Sequence, residues 1–161
     1  MRVFHGSTLV VERPLAGFAK RHLDFGPGFY VTSYRELAVR WARRKAMRTG
    51  GQAVVTEYEL AGDLSRWRGL EFPVGREWLK FVCACRNGED AWRGWDWVRG
   101  RVADDDVFKT VDACLRGILD EERALAALRY APANDQFAFL SQEAMDACLS
   151  FAGAGTIGEP P

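Results

Sequence analysis

The hydrophobic and polar positions along the chain predict several short strands. Strands are expected where β-branched or aromatic residues run together or alternate with polar ones, a pattern typical of half-buried strands. The segments that fit this description are residues 2–5, 28–33, 52–60, 95–100 and 135–141.

Helices are predicted between these strands, where apolar residues recur at helical spacing. The clearest starts at Ser33, which has capping-box spacing to Glu36, and stops at Thr49-Gly50-Gly51. Others are predicted for residues 76–88, from the acidic run 104–106 to Gly117, for 120–130 and for 142–151. The last has a helical turn leading into a strand as its alternative.

Strands and helices are mixed without regular β–α–β alternation, which predicts an α+β fold rather than a doubly wound sheet. The chain has 161 residues and is 48% hydrophobic, enough for one domain with its own core. That domain is expected to span residues 1–152, with mostly loop over residues 6–28 and a flexible C-terminal tail over 153–161.

The charge is distributed unevenly, although the formal net charge is +0. Residues 1–50 contain ten basic and three acidic side chains, a local charge of +7. This third of the chain therefore suits an anionic ligand, although a solvated basic helix face would have the same composition.

The sequence also bears on location and cofactors. It has no signal-peptide pattern and no apolar run of about 20 residues, the length of a membrane span. The four cysteines are therefore expected to be reduced thiols in a cytoplasmic protein without a membrane partner. Cys83 and Cys85 are too close for a zinc knuckle and have no histidine nearby, so no metal is expected.

Three short motifs contain candidate chemistry. His5-Gly6-Ser7 ends the first predicted strand, where an imidazole suits ribose hydroxyls and a glycine allows close approach to the backbone. In "DFGPGFYVT", residues 24–32, glycines precede Tyr30, and in "NDQFAF", residues 134–139, Gln136 opens a strand. Taken singly, each motif is more typical of a turn, a core ring or an edge residue than of a ligand site.

In combination, these motifs resemble the ADP-ribosyltransferase superfamily, in the branch shared by diphtheria-toxin-like enzymes and poly(ADP-ribose) polymerases. "HGS" and "GFYVT" are similar to that branch's "HG[ST]" and "G-[IF]-Y-F" motifs. Residues 1–152 as a whole resemble a bacterial family of formerly unknown function that is associated with toxin–antitoxin loci. The resemblance implies a split β-sheet core with surrounding helices.

The resemblance also implies residue roles around NAD as the substrate. His5 would hold a ribose hydroxyl, Gly6 would bond the nicotinamide amide through its backbone, and Ser7 would lie near the adenosine half. Tyr30 would stack on nicotinamide, with Trp41 as a second stacking ring. For the pyrophosphate or an anionic acceptor, the candidates are Lys20, Arg21, Arg43 and Arg44.

The chain departs from the branch at its third hallmark, a glutamate. A gapless match on Asn134 puts Asp135 there, whereas the bacterial family's late-strand polar residue corresponds to Gln136. We favour Gln136, because it shares a strand face with no bulky side chain. A glutamine keeps a hydrogen bond but lacks the charge that stabilises an oxocarbenium-like state.

The leading hypothesis is therefore an NAD-dependent mono-ADP-ribosyltransferase, with a protein or nucleic-acid acceptor. It would be the toxin of a bacterial toxin–antitoxin system, with an antitoxin protein as a partner. The alternative is a catalytically weak NAD or ADP-ribose-binding module. A third class is an interaction protein that uses Trp92, Trp95 and Trp97 as an exposed patch, although their alternate spacing also fits a strand on the core.

Overall fold

The computed structural model describes residues 1–17, 22–73, 75–102, 109–110, 112–113, 116–128 and 134–158. In these ranges, none of the helices has the length and apolar character required to cross a bilayer.

Strands and helices alternate irregularly along the described chain. The strands are β1 Arg2–Ser7, β2 Phe29–Val31, β3 Ala53–Leu60, β4 Gly69–Glu71, β5 Trp97–Gly100, β6 Gln136–Phe139 and β7 Leu149–Ile157. The helices are α1 Arg35–Thr49, α2 Arg76–Arg86, α3 Glu121–Leu128 and α4 Gln142–Cys148, with a 3₁₀ turn at Leu64–Arg66.

The strands form two sheets. The first has the order β1-β3-β7 and is antiparallel throughout. The second has the order β2-β6-β5-β4, in which only the β4–β5 pair is parallel. Segregated antiparallel pairs with helices around them confirm the α+β class.

The two sheets pack on a shared hydrophobic core that includes Val3 and Tyr58 of the first sheet and Phe137 of the second, and a backbone bridge joins β1 to the residue after β2. The amides and carbonyls of Phe4 and Thr32 exchange hydrogen bonds of 2.8 and 3.0 Å. The bridge is isolated, so no β1–β2 backbone ladder continues beyond it. Backbone pairing between the two sheets ends at this bridge. A cleft lies beside the remaining residues of β1, His5 to Ser7.

Helix α1 covers the outer face of the first sheet. Ala38 and Ala42 are fully buried there and form a small cluster with Ala53 and Val55 of β3. A Cβ on Gly6 would lie 2.1 Å from the Ala38 carbonyl oxygen and 2.8 Å from the Ala42 amide nitrogen. Only a glycine allows this approach, so the helix is fixed directly against β1.

The start of α1 differs from the predicted capping box. The helix begins one residue later, with Tyr34 as an N-cap that makes no side-chain capping bond. The Ser33 hydroxyl instead donates to Asp135 Oδ2 at 2.9 Å. The predicted stop is confirmed: Gly50 has φ 73° and donates to the Ala46 carbonyl at 2.8 Å.

The predicted C-terminal tail is wrong for residues 153–157. They belong to β7, which pairs with β3 from Leu149 to Ile157. The small residues of "GAGTI" carry no strand pattern of their own, and β3 supplies the main-chain partners that order them. The alternative of a short helix leading into a strand is therefore confirmed for this region.

The remaining predictions are met in part. The strand predicted for residues 2–5 runs on to Ser7, those predicted for 28–33, 95–100 and 135–141 are shorter, and most of the helix predicted from 104 to 117 lies outside the described residues. Trp92, Trp95 and Trp97 are all half-buried, and only Trp97 is in a strand, so they form no exposed patch.

Candidate functional site

A cleft of about 990 Å³ lies beside the diverging strands β1 and β2. Its size is at the upper end of the range of roughly 300–1,000 Å³ that small-molecule sites occupy. The predicted residues that line it are His5, Gly6, Ser7, Tyr30, Trp41 and Gln136. Sequence positions up to 131 residues apart are thus brought to one cavity by the two sheets and α1.

The backbone of Gly6 faces this cleft. Along a strand, main-chain N–H and C=O groups point to alternate edges, so Phe4 and Gly6 share an edge. Phe4 uses that edge to bond Thr32, and on the opposite edge Leu60 of β3 donates to the Met1 carbonyl at 2.7 Å. Gly6 therefore directs its amide and carbonyl away from β3, toward the side of β1 on which β2 no longer pairs with it.

His5 is held in one tautomer beside this edge. Its Nδ1 is 2.7 Å from the Tyr30 carbonyl oxygen, which can only accept, so Nδ1 carries the proton. Burial lowers the pKa of His5 to about 4, against the opposing effect of the Tyr30 hydrogen bond and with a smaller contribution from Lys45. The ring is therefore neutral at pH 7, and Nε2 is a hydrogen-bond acceptor.

Stacking further restrains the imidazole. The His5 ring lies against Phe29, with 4.5 Å between ring centroids and 29° between planes. Because both its Nδ1 bond and its face are fixed by β2, the direction of the remaining lone pair is fixed too.

The Tyr30 hydroxyl is occupied by the loop before β2. It donates to the Gly26 carbonyl at 2.7 Å and accepts from the Phe25 amide at 3.0 Å. Burial, reinforced by the nearby Asp24 carboxylate, raises the pKa of Tyr30 well above its usual value. The hydroxyl is thus a structural anchor, and the ring is what Tyr30 offers to the cleft.

One face of α1 supplies most of the positive charge of the cleft. Trp41, Arg44, Lys45 and Arg48 follow the spacing i, i+3, i+4, i+7 and all line the cavity. Arg13 lines it from the loop after β1. The helical spacing of Trp41 with these cations is a signal that could have revealed Lys45 and Arg48 from the sequence.

Of the other predicted cations, only Arg43 lies within the described residues, and it does not join this face. Arg43 donates from Nη2 to the Gly158 carbonyl at 3.2 Å and does not line the cleft. Lys20 and Arg21 lie outside the described residues.

The structure separates the two candidates for the third hallmark position. Asp135 is buried, and its carboxylate accepts from Thr32 Oγ1, the Ser33 amide, Ser33 Oγ and Arg99 Nη2 at 2.8–3.2 Å. It therefore fixes the connection from β2 to α1 and does not line the cleft. Gln136 does line it, so the geometry favours Gln136 and corrects the assignment of Asp135 as a site residue.

Gln136 is joined to an ion pair that the sequence analysis did not predict. Its Nε2 donates to Asp24 Oδ2 at 2.9 Å, and Arg86 Nε donates to Asp24 Oδ1 at 2.7 Å. Asp24 and Arg86 also line the cleft. They come from a loop and from the end of α2, 62 positions apart, and no local pattern links them.

The cleft therefore offers a defined set of groups to a ligand. These are an open main-chain amide and carbonyl, a neutral imidazole acceptor, aromatic rings, several cations and a side-chain amide. Together they suit a polar, anionic ligand with a flat ring and an amide or hydroxyl groups. Among the residues that the structure describes, no group of three or more His, Cys, Asp or Glu side chains could hold a metal ion.

Comparisons with known proteins give one match. No curated protein and no solved structure matches the chain. A family described as a protein of unknown function, DUF3990, matches residues 1–151. Since this is nearly the whole chain, the protein belongs to the DUF3990 family.

Proposed function

We propose that the protein is a mono-ADP-ribosyltransferase that binds NAD in this cleft and transfers ADP-ribose to a macromolecular acceptor. The observation that carries the proposal is the open backbone edge of Gly6 beside the oriented, neutral imidazole of His5. The two divergent sheets support the finer assignment of an ADP-ribosyltransferase-like split sheet.

The groups of NAD find complementary partners in the cleft. A nicotinamide carboxamide has one N–H donor side and one carbonyl, which pair with the carbonyl and amide of Gly6. The ring would lie against Tyr30 and Trp41, and Nε2 of His5 would accept a ribose hydroxyl. The cationic face of α1 and Arg13 would attract the pyrophosphate, and Ser7 lies at the same end of β1 for the adenosine half.

The reaction would break the bond between the nicotinamide nitrogen and ribose C1′. The electron pair leaves with nicotinamide, the acceptor's nucleophile forms the new bond to C1′, and the acceptor's proton passes to solvent. Positive charge develops on the ribose, and oriented dipoles and charges stabilise it. Gln136 would bind a ribose hydroxyl, while the acidic side chain in the cleft lining is Asp24, next to Gln136.

A catalytically weak NAD or ADP-ribose-binding module is the second candidate. It is favoured by one feature, the uncharged amide of Gln136 where the resembling enzymes have a carboxylate. Binding would be retained, because the Gly6 edge and His5 do not depend on that charge. The expectations of a bacterial toxin, and of an antitoxin partner, rest on the resemblance alone.

Release of nicotinamide and transfer of label test the proposal. Purified protein is incubated with NAD labelled in its adenylate part, with and without bacterial lysate. We expect nicotinamide release and label transfer, both reduced about tenfold or more in His5→Ala, which loses a hydrogen bond to the ribose, and in Tyr30→Ala, which loses a stacking ring.

Two substitutions serve as matched controls. His22 is exposed and Tyr34 is 40% exposed, and neither lines the cleft. His22→Ala and Tyr34→Ala should retain full activity. Tight NAD binding without turnover would favour the binding module, and wild-type protein that neither binds NAD nor releases nicotinamide would sink both candidates.

A further inference from the structure

We infer that Asp24 and Arg86 are positioning residues that hold the side-chain amide of Gln136 in one orientation. In that orientation the carbonyl oxygen of Gln136 is presented to the cleft as an acceptor for a sugar hydroxyl of the ligand. The inference rests on the proposed function for the identity of the ligand, and on the geometry of the network for the orientation itself.

The hydrogen-bond partners of Gln136 determine where its side-chain nitrogen Nε2 and oxygen Oε1 lie. Nε2 lies 2.9 Å from Asp24 Oδ2 and 3.4 Å from the Arg101 carbonyl oxygen. Both partners are acceptors, so only the NH₂ end can occupy this side. The reversed amide would bring its oxygen against a carboxylate and a carbonyl, which is repulsive.

The opposite end of the amide is therefore the oxygen, Oε1. No described residue donates a hydrogen bond to it, and the atom is not fully sealed from the cavity that Gln136 lines. An oriented oxygen of this kind prefers a hydrogen-bond donor, and the hydroxyls of a ribose are such donors.

Arg86 keeps Asp24 in place for this task. Its Nη2 and Nε approach the same carboxylate oxygen, Oδ1, at 2.5 and 2.7 Å, which leaves Oδ2 for Gln136. The side chains of Asp24 and Arg86 are only 11% and 14% exposed. Hydrogen bonds to an ionised group in such surroundings are strong, so the geometry of the chain from arginine to amide is well defined.

This network also explains why a glutamine is accommodated at this position. A carboxylate in its place would lie beside the Asp24 carboxylate, and two such groups at hydrogen-bond distance cannot both ionise. The glutamine is thus matched to Asp24, and the charge missing from residue 136 resides on its neighbour.

A donor–acceptor swap tests the inference. Gln136→Glu opposes two carboxylates, and Asp24→Asn leaves Arg86 beside a neutral amide, so each should lower NAD and ADP-ribose affinity about tenfold or more. The double variant Asp24→Asn/Gln136→Glu keeps the network's charge, since the new asparagine amide donates to the new carboxylate. We expect it to regain about tenfold over Gln136→Glu, a coupling of about 1.4 kcal/mol.

Affinity for nicotinamide alone separates positioning from a general loss of structure. Nicotinamide has no ribose, so its binding should change less than threefold or so in any of these variants, within the scatter of about 0.5 kcal/mol between independent sites. If nicotinamide and ADP-ribose affinities fall together, the carbonyl of Gln136 does not act on the sugar and the inference is overturned.

A similar contact elsewhere in the chain provides the control. Gln142 Nε2 donates to Asp146 Oδ1 at 2.8 Å on α4, and neither residue lines the cleft. Gln142 is half-buried and also bonds the main chain of Pro14 and Ala16, whereas Asp146 is exposed. In urea unfolding, Asp24→Asn and Gln136→Glu should couple strongly, whereas Asp146→Asn and Gln142→Glu should couple weakly, because a contact to an exposed carboxylate contributes little.

The unfolding data also separate this inference from the proposed function. Coupling between residues 24 and 136 in unfolding, together with wild-type protein that binds no NAD, would support the oriented amide and reject the proposed function. Additive effects in unfolding and in ligand binding would overturn the oriented amide, even if the wild-type protein binds NAD.

Discussion

His5 and Gly6 act together on the β1 edge of the cleft. If the ladder between β1 and β2 continued past Phe4 and Thr32, Gly6 would next face Tyr30. The Tyr30 carbonyl instead accepts the Nδ1 proton of His5. The imidazole thereby occupies the Tyr30 carbonyl, which a continued ladder would have paired with Gly6. The main-chain amide and carbonyl of Gly6 are then available for hydrogen bonds from the cleft.

The neutral state of His5 predicts a pH-dependent stability. Its pKa is about 4 in the folded protein and about 6.5 in the unfolded chain. The unfolded state therefore binds more protons between these values, and the free energy of unfolding should fall as the pH decreases from about 6.5 to about 4. The expected loss between pH 7.5 and pH 5 is about 2 kcal/mol.

Urea unfolding of His5→Asn against wild type measures this contribution. Asparagine keeps an N–H donor but does not titrate. Between pH 7.5 and pH 5, the free energy of unfolding of His5→Asn should therefore fall by about 2 kcal/mol less than that of wild type. His22→Ala, at an exposed position, should behave like wild type. The same pH dependence in wild type and His5→Asn would show that His5 is not buried in its neutral form.

Local motifs predicted several site residues and missed others. His5, Gly6, Tyr30 and Gln136 lie in short motifs that can be recognised along the chain, and all line the cleft. Asp24 and Arg86 could not be found in this way, because their relation exists only after the loop before β2 packs on the end of α2. Asp135, the alternative to Gln136, is held by Thr32, Ser33 and Arg99 and does not line the cleft, and no local motif shows these contacts between distant parts of the chain.

At the scale of elements, the contact between α1 and β1 determines the shape of the site. The small side chains of Ala38 and Ala42 face the glycine of β1, and the helix turns Trp41 and its cations toward the cleft. The helix leaves no space for a side chain at Gly6, and in the plane of the sheet the main chain of Gly6 forms part of the open edge of the cleft.

Gly6→Ala should be strongly destabilising. Its Cβ would lie 2.1 Å from a backbone oxygen of α1, so the helix must move rather than a side-chain end. We expect a loss of about 3 kcal/mol in the free energy of unfolding, at the upper end for overpacked sites. Urea unfolding would measure it.

Gly153→Ala is the matched control for this substitution. It is also in a strand, and a Cβ there would meet nothing within 4 Å. Its stability should stay within about 0.5 kcal/mol of wild type. Equal, small effects of the two substitutions would contradict the close packing of α1 on β1.

Elements with their own periodicity were predicted better than those that depend on a partner. α1, α2 and β3 carry clear patterns, and their observed bounds agree with the predictions to within about two residues, the usual uncertainty of element ends. β7 has a run of small residues and is ordered by pairing with β3, which no local pattern reveals. The start of α1 was misjudged because Ser33 bonds a distant aspartate instead of the helix.

For the whole molecule, the two sheets and α1 bring the basic third of the chain to one side of a single cleft. The local charge of +7 in residues 1–50 is not merely a solvated helix face, because Arg13, Arg44, Lys45 and Arg48 line the cavity. The overall neutrality of the chain gave no indication of this, since the balancing acids lie elsewhere. The proposed binding of an anionic dinucleotide rests on this placement of positive charge.

Calorimetric titration of the purified protein with NAD tests this account most directly. Wild-type protein should bind one NAD per chain with a Kd below about 1 mM, within the usual range for enzyme substrates. His5→Ala should weaken binding about tenfold or more, the loss of about 1.4 kcal/mol expected for a hydrogen bond, and His22→Ala should not. No NAD binding by the wild-type protein, or equal affinity in both histidine variants, would contradict it.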